Sequence, residues 1–181
     1  MRQPISRLAP SLSLAVHPLR LHAAFMVLLG ALLLNAPGIA SAPAAVPDKL
    51  VVLTFDDSSA SHHAVARPVL KRYGFNATFF ITEGFTFRTN KKDYLTWEQI
   101  AELHRDGFEI GNHTRDHLGI TEKTVPRLAE QLETIAARCR EYGISAPVSF
   151  AWPGNAFHTN ALPVLKQAGI DRKSTRLNSS H

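Results

Sequence analysis

The chain has 181 residues, of which 45% are hydrophobic and 19% are charged, and this composition is typical of a globular protein rather than a disordered one. Its formal net charge is +5, but residues 46–170 contain 14 basic and 14 acidic residues, so the whole excess lies at the two ends. A neutral body excludes a nucleic-acid-binding surface that depends on net charge. The length allows one hydrophobic core of ordinary size.

The first 44 residues are predicted to be a secretory signal peptide. Three arginines precede an apolar run of twelve residues, Ala23–Leu34. Twelve helical residues span only ~18 Å, whereas the hydrocarbon core of a bilayer is ~30 Å thick. This length favours a signal peptide over a membrane span, with an uncleaved anchor as the alternative. We therefore expect export to the periplasm, the cell envelope or the extracellular space, and no stable membrane insertion unless this segment stays attached.

Residues 45–170 are predicted to alternate between buried strands and amphipathic helices. The predicted strands cover residues 50–55, 77–81, 108–111 and 148–151. The predicted helices cover residues 61–73, 96–106, 125–142 and 162–168. Thr96 with Gln99 has the pattern of a capping box, and Gly74 is placed to end the first helix. Four strand–helix units in succession predict a parallel α/β fold, either an open sheet or a barrel.

The last eleven residues are predicted to lie outside the domain. Residues 171–181 are polar and lack periodicity, and they follow Ile170, where a buried strand is expected. They also match one reading frame of a common short-read sequencing adapter, so we interpret them as adapter read-through. A disordered polar tail is the alternative.

Candidate catalytic residues follow two of the predicted strands, where parallel α/β folds place their chemistry. Asp56 and Asp57 follow the first strand, and His113 and His117 follow the third. A spacing of four puts both imidazoles on one side of a helical turn, where one metal ion can contact them. Seen alone, the Asp pair could be a solvated turn and the His pair a surface pair. Their equivalent positions in two strand–helix units favour a shared site.

These residues stand in recognisable motifs. TFDD at residues 54–57 and HTRDH at residues 113–117 resemble the first two motifs of polysaccharide deacetylases of the NodB-homology type, carbohydrate esterase family 4. FAWPG at residues 150–154 occupies the place of the third motif. The resemblance implies that residues 45–170 form a partial deacetylase domain, a distorted and incomplete (β/α) barrel with about four β/α units. It also implies hydrolysis of N-acetyl or O-acetyl groups on a carbohydrate polymer or oligosaccharide.

The family pattern assigns Asp57, His113 and His117 to one divalent metal ion, commonly zinc, and Asp56 to the general base. The chemistry agrees with these roles, because such an ion polarises an acetyl carbonyl and lowers the pKa of its water ligand to ~7. Asp56 can then take the proton from that water as it attacks the carbonyl carbon. Mixed nitrogen and oxygen ligands also accept other first-row divalent ions, so the metal stays open.

Further residues are predicted to surround the site. Thr114 is expected to brace the histidine loop rather than react. Trp152, beside Pro153 in the third motif, is a candidate surface for stacking a sugar ring, with a core position as the alternative. His62 and His63 are expected to be solvated residues at a helix start, with substrate contact as the alternative.

Two departures from the family pattern qualify the resemblance. Many relatives begin the third motif with an Arg that orients the catalytic Asp, and this chain has Ala151 there. The family's last motif supplies a His that protonates the leaving amine, and it would lie beyond Ile170. Loss of a general acid typically costs ~10²–10⁴ in rate, so we expect the 181-residue chain to be barely active and to fold poorly.

Three functions fit the sequence. A metal-dependent deacetylase acting on an acetylated polysaccharide or oligosaccharide is the main interpretation. An inactive carbohydrate-binding relative would be favoured by loss of a metal ligand, and none is lost. An unrelated metallohydrolase on the same architecture would be expected to have additional His or Asp ligands after the second and fourth strands, and none is convincing there.

Overall fold

The computed structural model of the chain describes residues 49–174. Five short parallel strands form one sheet: β1 (Thr54–Phe55), β2 (Thr78–Ile81), β3 (Glu109–Asn112), β4 (Ser149–Ala151) and β5 (Arg172–Ser174). Their order in the sheet is the order along the chain. Strands that wind in one direction without reversal are typical of a barrel, whereas a doubly wound sheet reverses. The predicted α/β class is confirmed as an incomplete (β/α) barrel.

Helices connect the strands. The α-helices are α1 (Arg67–Tyr73), α2 (Trp97–Arg105), α3 (Leu128–Glu141) and α4 (Ala161–Gln167). A 3₁₀ turn precedes α3 at Val125–Arg127, and another follows β4 at Pro153–Asn155. The bounds of each helix lie within six residues of those predicted, and α2 and α3 bury the apolar faces that their amphipathic patterns predicted.

The predicted signals for helix ends are confirmed in two places. The Thr96 hydroxyl accepts a bond from Gln99 N (3.3 Å), and the Gln99 side chain accepts one from Thr96 N (2.9 Å), so the capping box at the start of α2 is complete. Gly74 ends α1 in the left-handed conformation (φ 66°), which glycine adopts without steric cost.

The segment before α1 departs from the prediction. His62–Ala66 is a π-helix, in which Arg67 N donates to His62 O five residues back, and Ser61 makes no side-chain capping bond. Pro68 lacks the N–H that a regular helix would use at this point, and the wider turn accommodates that loss.

Two clusters of buried side chains form the core around the sheet. One lies around β2 and β3 with α2 and the end of α3, and it includes Phe79, Ile81, Ile100, Ile135 and Cys139. The other lies between β4, the start of α3 and α4, and it includes Leu128, Leu132, Phe150, Trp152 and Leu165. The free thiol of Cys139 is fully buried and acts as a small apolar side chain.

The first strand is shorter and more exposed than predicted. Only Thr54–Phe55 pair with β2, and Leu50, Val51 and Val52 are 58%, 76% and 70% exposed. A continuous apolar run predicts a strand covered on both faces. Within the described part of the chain β1 has β2 as its one neighbour, so the prediction of a strand over residues 50–53 is wrong.

The sheet extends beyond Ile170, into a segment predicted to lie outside the domain. Arg172–Ser174 pair with β4, and Val148 O accepts bonds from Asp171 N and Arg172 N. The pairing uses main-chain groups, which polar sequences also supply, and the side chains of residues 171–173 are exposed. The remaining residues of this tail, 175–181, and the predicted signal peptide lie outside the described residues.

No helix within residues 49–174 combines the length and the apolar character required to cross a bilayer.

Candidate metal centre

Three side chains from two separate stretches of the chain meet at the carboxyl ends of β1 and β3. Asp57 Oδ1 lies 3.3 Å from His113 Nε2 and 3.2 Å from His117 Nε2. One ligand atom from each residue lies within 4.8 Å of the other two. Zinc ligands at ~2.0–2.2 Å from their ion are separated by distances of this order. The structure thus brings together the three residues that were predicted to hold a metal.

The abrupt end of β1 places Asp57 at the site. Asp57 and Ser58 both have left-handed backbone conformations, with φ of 68° and 57°, which are uncommon outside glycine. The buried Ser58 hydroxyl donates to Thr82 O (2.8 Å) and accepts from Thr82 N (2.9 Å). These two bonds hold the turn after β1 to the end of β2, and they stabilise the direction in which Asp57 leaves the strand.

A main-chain carbonyl orients His113. Its ring is 2% exposed, and Nδ1 lies 2.9 Å from Ala151 O at the end of β4. A carbonyl oxygen only accepts, so Nδ1 carries a proton, and in the neutral ring the lone pair of Nε2 is directed at Asp57. Metal-binding histidines are commonly oriented by such a bond on their other nitrogen.

The loop that carries His117 is a turn rather than the predicted helical turn. Thr114 and His117 both have left-handed conformations, with φ of 61° and 53°. Thr82 Oγ1 accepts from His117 N (3.0 Å) and donates to Arg115 O (3.0 Å), and Thr114 Oγ1 accepts from Leu118 N (2.7 Å). The two imidazoles therefore converge through these bonds, with ring centroids 5.0 Å apart, and not through helical spacing.

The charges and lone pairs at the site fit a divalent cation. Asp57 Oδ1 is buried and has no hydrogen-bond donor, and it faces His113 Nε2, which is an acceptor in the neutral ring. Two acceptors at this distance repel unless a cation lies between them. Burial and the neighbouring His113 lower the pKa of His117, although the two aspartates oppose this, so the metal-binding neutral form is favoured.

Asp56 is exposed at the same end of β1. Its negative charge acts on His117, where it favours the protonated ring. The structure therefore places this carboxylate at the edge of the three-donor site, and its role as general base stays a prediction.

The third motif contributes main chain rather than an exposed side chain. Trp152 is 4% exposed, and its ring packs edge-on against Phe150 (5.0 Å) and Phe157 (4.8 Å). Pro153 is buried beside it and begins the 3₁₀ turn. A buried ring offers no face to a sugar, so the predicted stacking role of Trp152 is wrong and the alternative, a core position, is correct.

His62 was predicted to face solvent, but the structure buries it. It is 8% exposed, its ring centroid lies 5.4 Å from that of Phe55, and burial lowers its pKa to about 4 against the opposing charge of Asp57. His63 is half-buried, and its Nε2 lies 2.8 Å from a glutamate oxygen of α2.

Polar residues that the motifs did not identify connect the histidine loop to α3. Asn112 donates to Leu132 O (3.0 Å) and accepts from Thr114 N (2.9 Å). Gln131 accepts from Asp116 N (2.9 Å) and donates to the Asp116 carboxylate (2.8 Å). Both amides are almost fully buried. The sequence contains a signal for each of them. Asn112 is a polar residue at the end of an apolar strand, and Gln131 is a polar residue within the apolar stripe of a helix.

Comparisons with known proteins agree with this fold and site. The family model described as polysaccharide deacetylase matches residues 44–172, well over half of the chain. The chain is 27% identical over 123 residues to a peptidoglycan-N-acetylglucosamine deacetylase of Bacillus cereus, covering 67% of this chain and 54% of that protein. It is 25% identical over 135 residues to a poly-beta-1,6-N-acetyl-D-glucosamine N-deacetylase of Staphylococcus aureus, covering 68% and 47%.

Among solved structures, IcaB from Ammonifex degensii superposes with a TM-score of 0.64 at 27% identity, covering 72% of this chain and 61% of that one. The chain spans about half the length of the two curated relatives. The match of the family model over both motif-bearing strands, together with the three-donor site at their ends, shows that this chain belongs to the polysaccharide deacetylase family.

Proposed function

We propose that this chain is the metal-holding part of an exported hydrolase that removes acetyl groups from N-acetylglucosamine units of a polysaccharide. The observation that carries the proposal is the meeting of Asp57, His113 and His117, with His113 held in the ligand tautomer by Ala151 O. The two curated relatives are named for deacetylation of N-acetylglucosamine in two different polymers, so this unit, rather than one linkage, is the shared chemistry.

Separate residues of the site bind the metal ion and transfer the proton. Asp57, His113 and His117 would hold one divalent ion, for which zinc is the first candidate. When bound, such an ion polarises the acetyl carbonyl and acidifies water. Asp56, exposed at the edge of the site, accepts the proton from the attacking water. Ser58 and Thr82 keep the turn that carries both aspartates in place.

Export follows from the predicted signal peptide of residues 1–44, which lies outside the described residues. An exported enzyme meets polymers of the cell envelope or the extracellular space rather than cytosolic metabolites. Residues 45–170 would then be the catalytic domain portion of this chain.

The test is acetate release from N-acetylglucosamine oligomers by the zinc-loaded chain, at high protein concentration so that a slow reaction is measured. Asp57→Ala is expected to abolish both stoichiometric zinc binding and acetate release, as chelation does. Asp56→Asn is expected to keep zinc and lose ~10²–10⁴ in rate, because the ligand set is intact while the base is gone.

Glu133→Gln, on the exposed surface of α3, serves as the control and should change neither measurement. Acetate release that survives chelation and Asp57→Ala contradicts the proposal. Zinc-loaded protein that releases acetate from O-acetylated sugars alone contradicts the N-acetyl assignment.

A further inference from the structure

An exposed aromatic side chain stands against one of the proposed metal ligands. Phe85 is 59% exposed, although its ring centroid lies only 4.6 Å from that of His117. On its other side the ring is stacked with Tyr94, at 6.2 Å and an interplanar angle of 16°. Other large apolar side chains of the described residues are equally exposed, so what distinguishes Phe85 is its position against His117.

The position of Phe85 is held by the same bonds that build the site. Gly84 N donates to Thr82 Oγ1 (3.0 Å), the hydroxyl that also accepts from His117 N. Gly84 packs so closely on the histidine loop that an added Cβ would lie 2.8 Å from His117 Cβ. Phe85 itself has a left-handed backbone (φ 55°), which is rare for a bulky residue and marks a conformation imposed by its surroundings.

We propose that Phe85, supported by Tyr94, is a stacking surface for a pyranose ring of the acetylated glycan. The inference rests on the proposed function and names how that site binds its substrate. One face of a pyranose presents C–H groups, which pack on the negative face of an aromatic ring. A ring next to His117 lies where a glycan must pass if one of its acetyl groups is to reach the three donors.

The chain offers a matched control for this surface. Phe75 is 58% exposed and stacked on Tyr73 at 6.2 Å, which nearly reproduces the Phe85–Tyr94 pair. It precedes β2, whereas Phe85 follows β2, so the two pairs lie at opposite ends of the sheet. Phe75→Ala therefore removes an equally exposed ring away from the site.

The experiment is calorimetric titration of the zinc-loaded full chain with β-1,4-linked and β-1,6-linked N-acetylglucosamine trimers. Phe85→Ala is expected to weaken binding about tenfold, the size of a well-formed ring contact. Phe85→Tyr should stay close to the unchanged chain because it keeps the ring face, and Phe75→Ala should bind as the unchanged chain does. Phe85→Leu, which keeps apolar bulk without a ring, replaces Phe85→Ala if that variant unfolds.

Equal affinity of Phe85→Ala and the unchanged chain overturns the inference, and so does absence of binding of either trimer at millimolar concentration. A loss with Phe85→Tyr as large as that with Phe85→Ala also overturns it. Phe85-dependent binding without acetate release would mean that the proposed reaction is wrong while the stacking surface is correct. Acetate release with affinity independent of Phe85 would mean the reverse.

Discussion

His62 places a titratable ring in an apolar environment five residues after a proposed metal ligand. Phe55 and Phe79 surround it, at 5.4 and 5.6 Å between ring centroids, and its Nδ1 is buried without a partner. Protonation there would bury a charge, and the negative charge of Asp57 offsets that cost only in part. The imidazole of His62 is therefore neutral in the folded state.

This burial predicts a stability that depends on pH. Burial lowers the pKa of His62 from 6.5 to about 4, so the unfolded chain binds more protons in that interval. The contribution is fully present above pH 6.5 and is lost as the pH falls towards 4, by roughly 2–3 kcal/mol in the free energy of unfolding. His62→Phe should remove this part of the pH dependence, measured as the thermal midpoint against pH.

The control is His158→Phe, in the half-exposed loop after the third motif, which should leave the pH dependence unchanged. A profile of His62→Phe that falls as steeply between pH 6.5 and 4 as that of the unchanged chain would contradict the buried neutral ring.

The metal ligands and His62 show which residues a sequence can reveal. Asp57, His113 and His117 are found by residue type, spacing and position after strands, because metal chemistry restricts those types. The burial of His62 was missed because a π-helix turns by a different angle per residue than the α-helix assumed for residues 61–73. Phe85 was missed because its exposure depends on a loop that folds back on His117.

At the scale of secondary-structure elements, Thr82 connects the carboxyl ends of three strands, β1, β2 and β3. It follows β2, exchanges two bonds with Ser58 after β1, and receives His117 N from the loop after β3. Its hydroxyl makes three bonds, two accepted and one donated. The site is therefore a property of the strand ends together and not of either motif alone.

Thr82→Val keeps the shape of the side chain and removes its hydroxyl, so it is predicted to lower both the stability of the fold and the affinity for zinc. Buried main-chain groups that lose their partner each cost ~1–3 kcal/mol, so we expect a loss of roughly 2–4 kcal/mol in the free energy of unfolding. Because His117 loses its support, zinc affinity should fall ~10–100-fold. Denaturant unfolding and competition with a chromogenic chelator measure the two effects.

Thr89→Val is the matched control, since its hydroxyl is exposed and makes a single long bond of 3.4 Å to Thr86 O. Both quantities should be unchanged in that variant. Zinc affinity of Thr82→Val equal to that of the unchanged chain would show that His117 does not need the hydroxyl.

At the scale of the whole molecule, both outer strands of the described sheet are short and differ in character. Arg172 and Lys173 of β5 are exposed and charged, whereas the segment leading into β1 carries exposed Leu50, Val51 and Val52. An apolar segment beside an open strand edge is a template for pairing with another chain. Polar side chains along β5 oppose such pairing.

We therefore predict that the chain self-associates through the β1 edge. The double substitution Val51→Lys with Val52→Lys should shift the mass measured by light scattering towards the monomer. Val65→Lys, at a residue 60% exposed on the π-helical segment, should leave the association unchanged. Equal association of the unchanged chain and the β1 variant would exclude this edge as the contact.

The fold as a whole was more predictable than its edges. Apolar stripes and capping residues place β2, β3, β4 and the helices, because local pattern and tertiary burial agree there. Residues 50–53 were misjudged because strand formation at an edge depends on which main chain lies alongside, and side-chain pattern carries little of that information.

The bond from His113 to Ala151 O has an evolutionary consequence. Every amino acid supplies a carbonyl, so substitution at position 151 leaves this acceptor available so long as β4 keeps its path. Lineages can therefore exchange the side chain that opens the third motif without disturbing the imidazole, which gives one part of the site mutational freedom while its neighbours remain constrained.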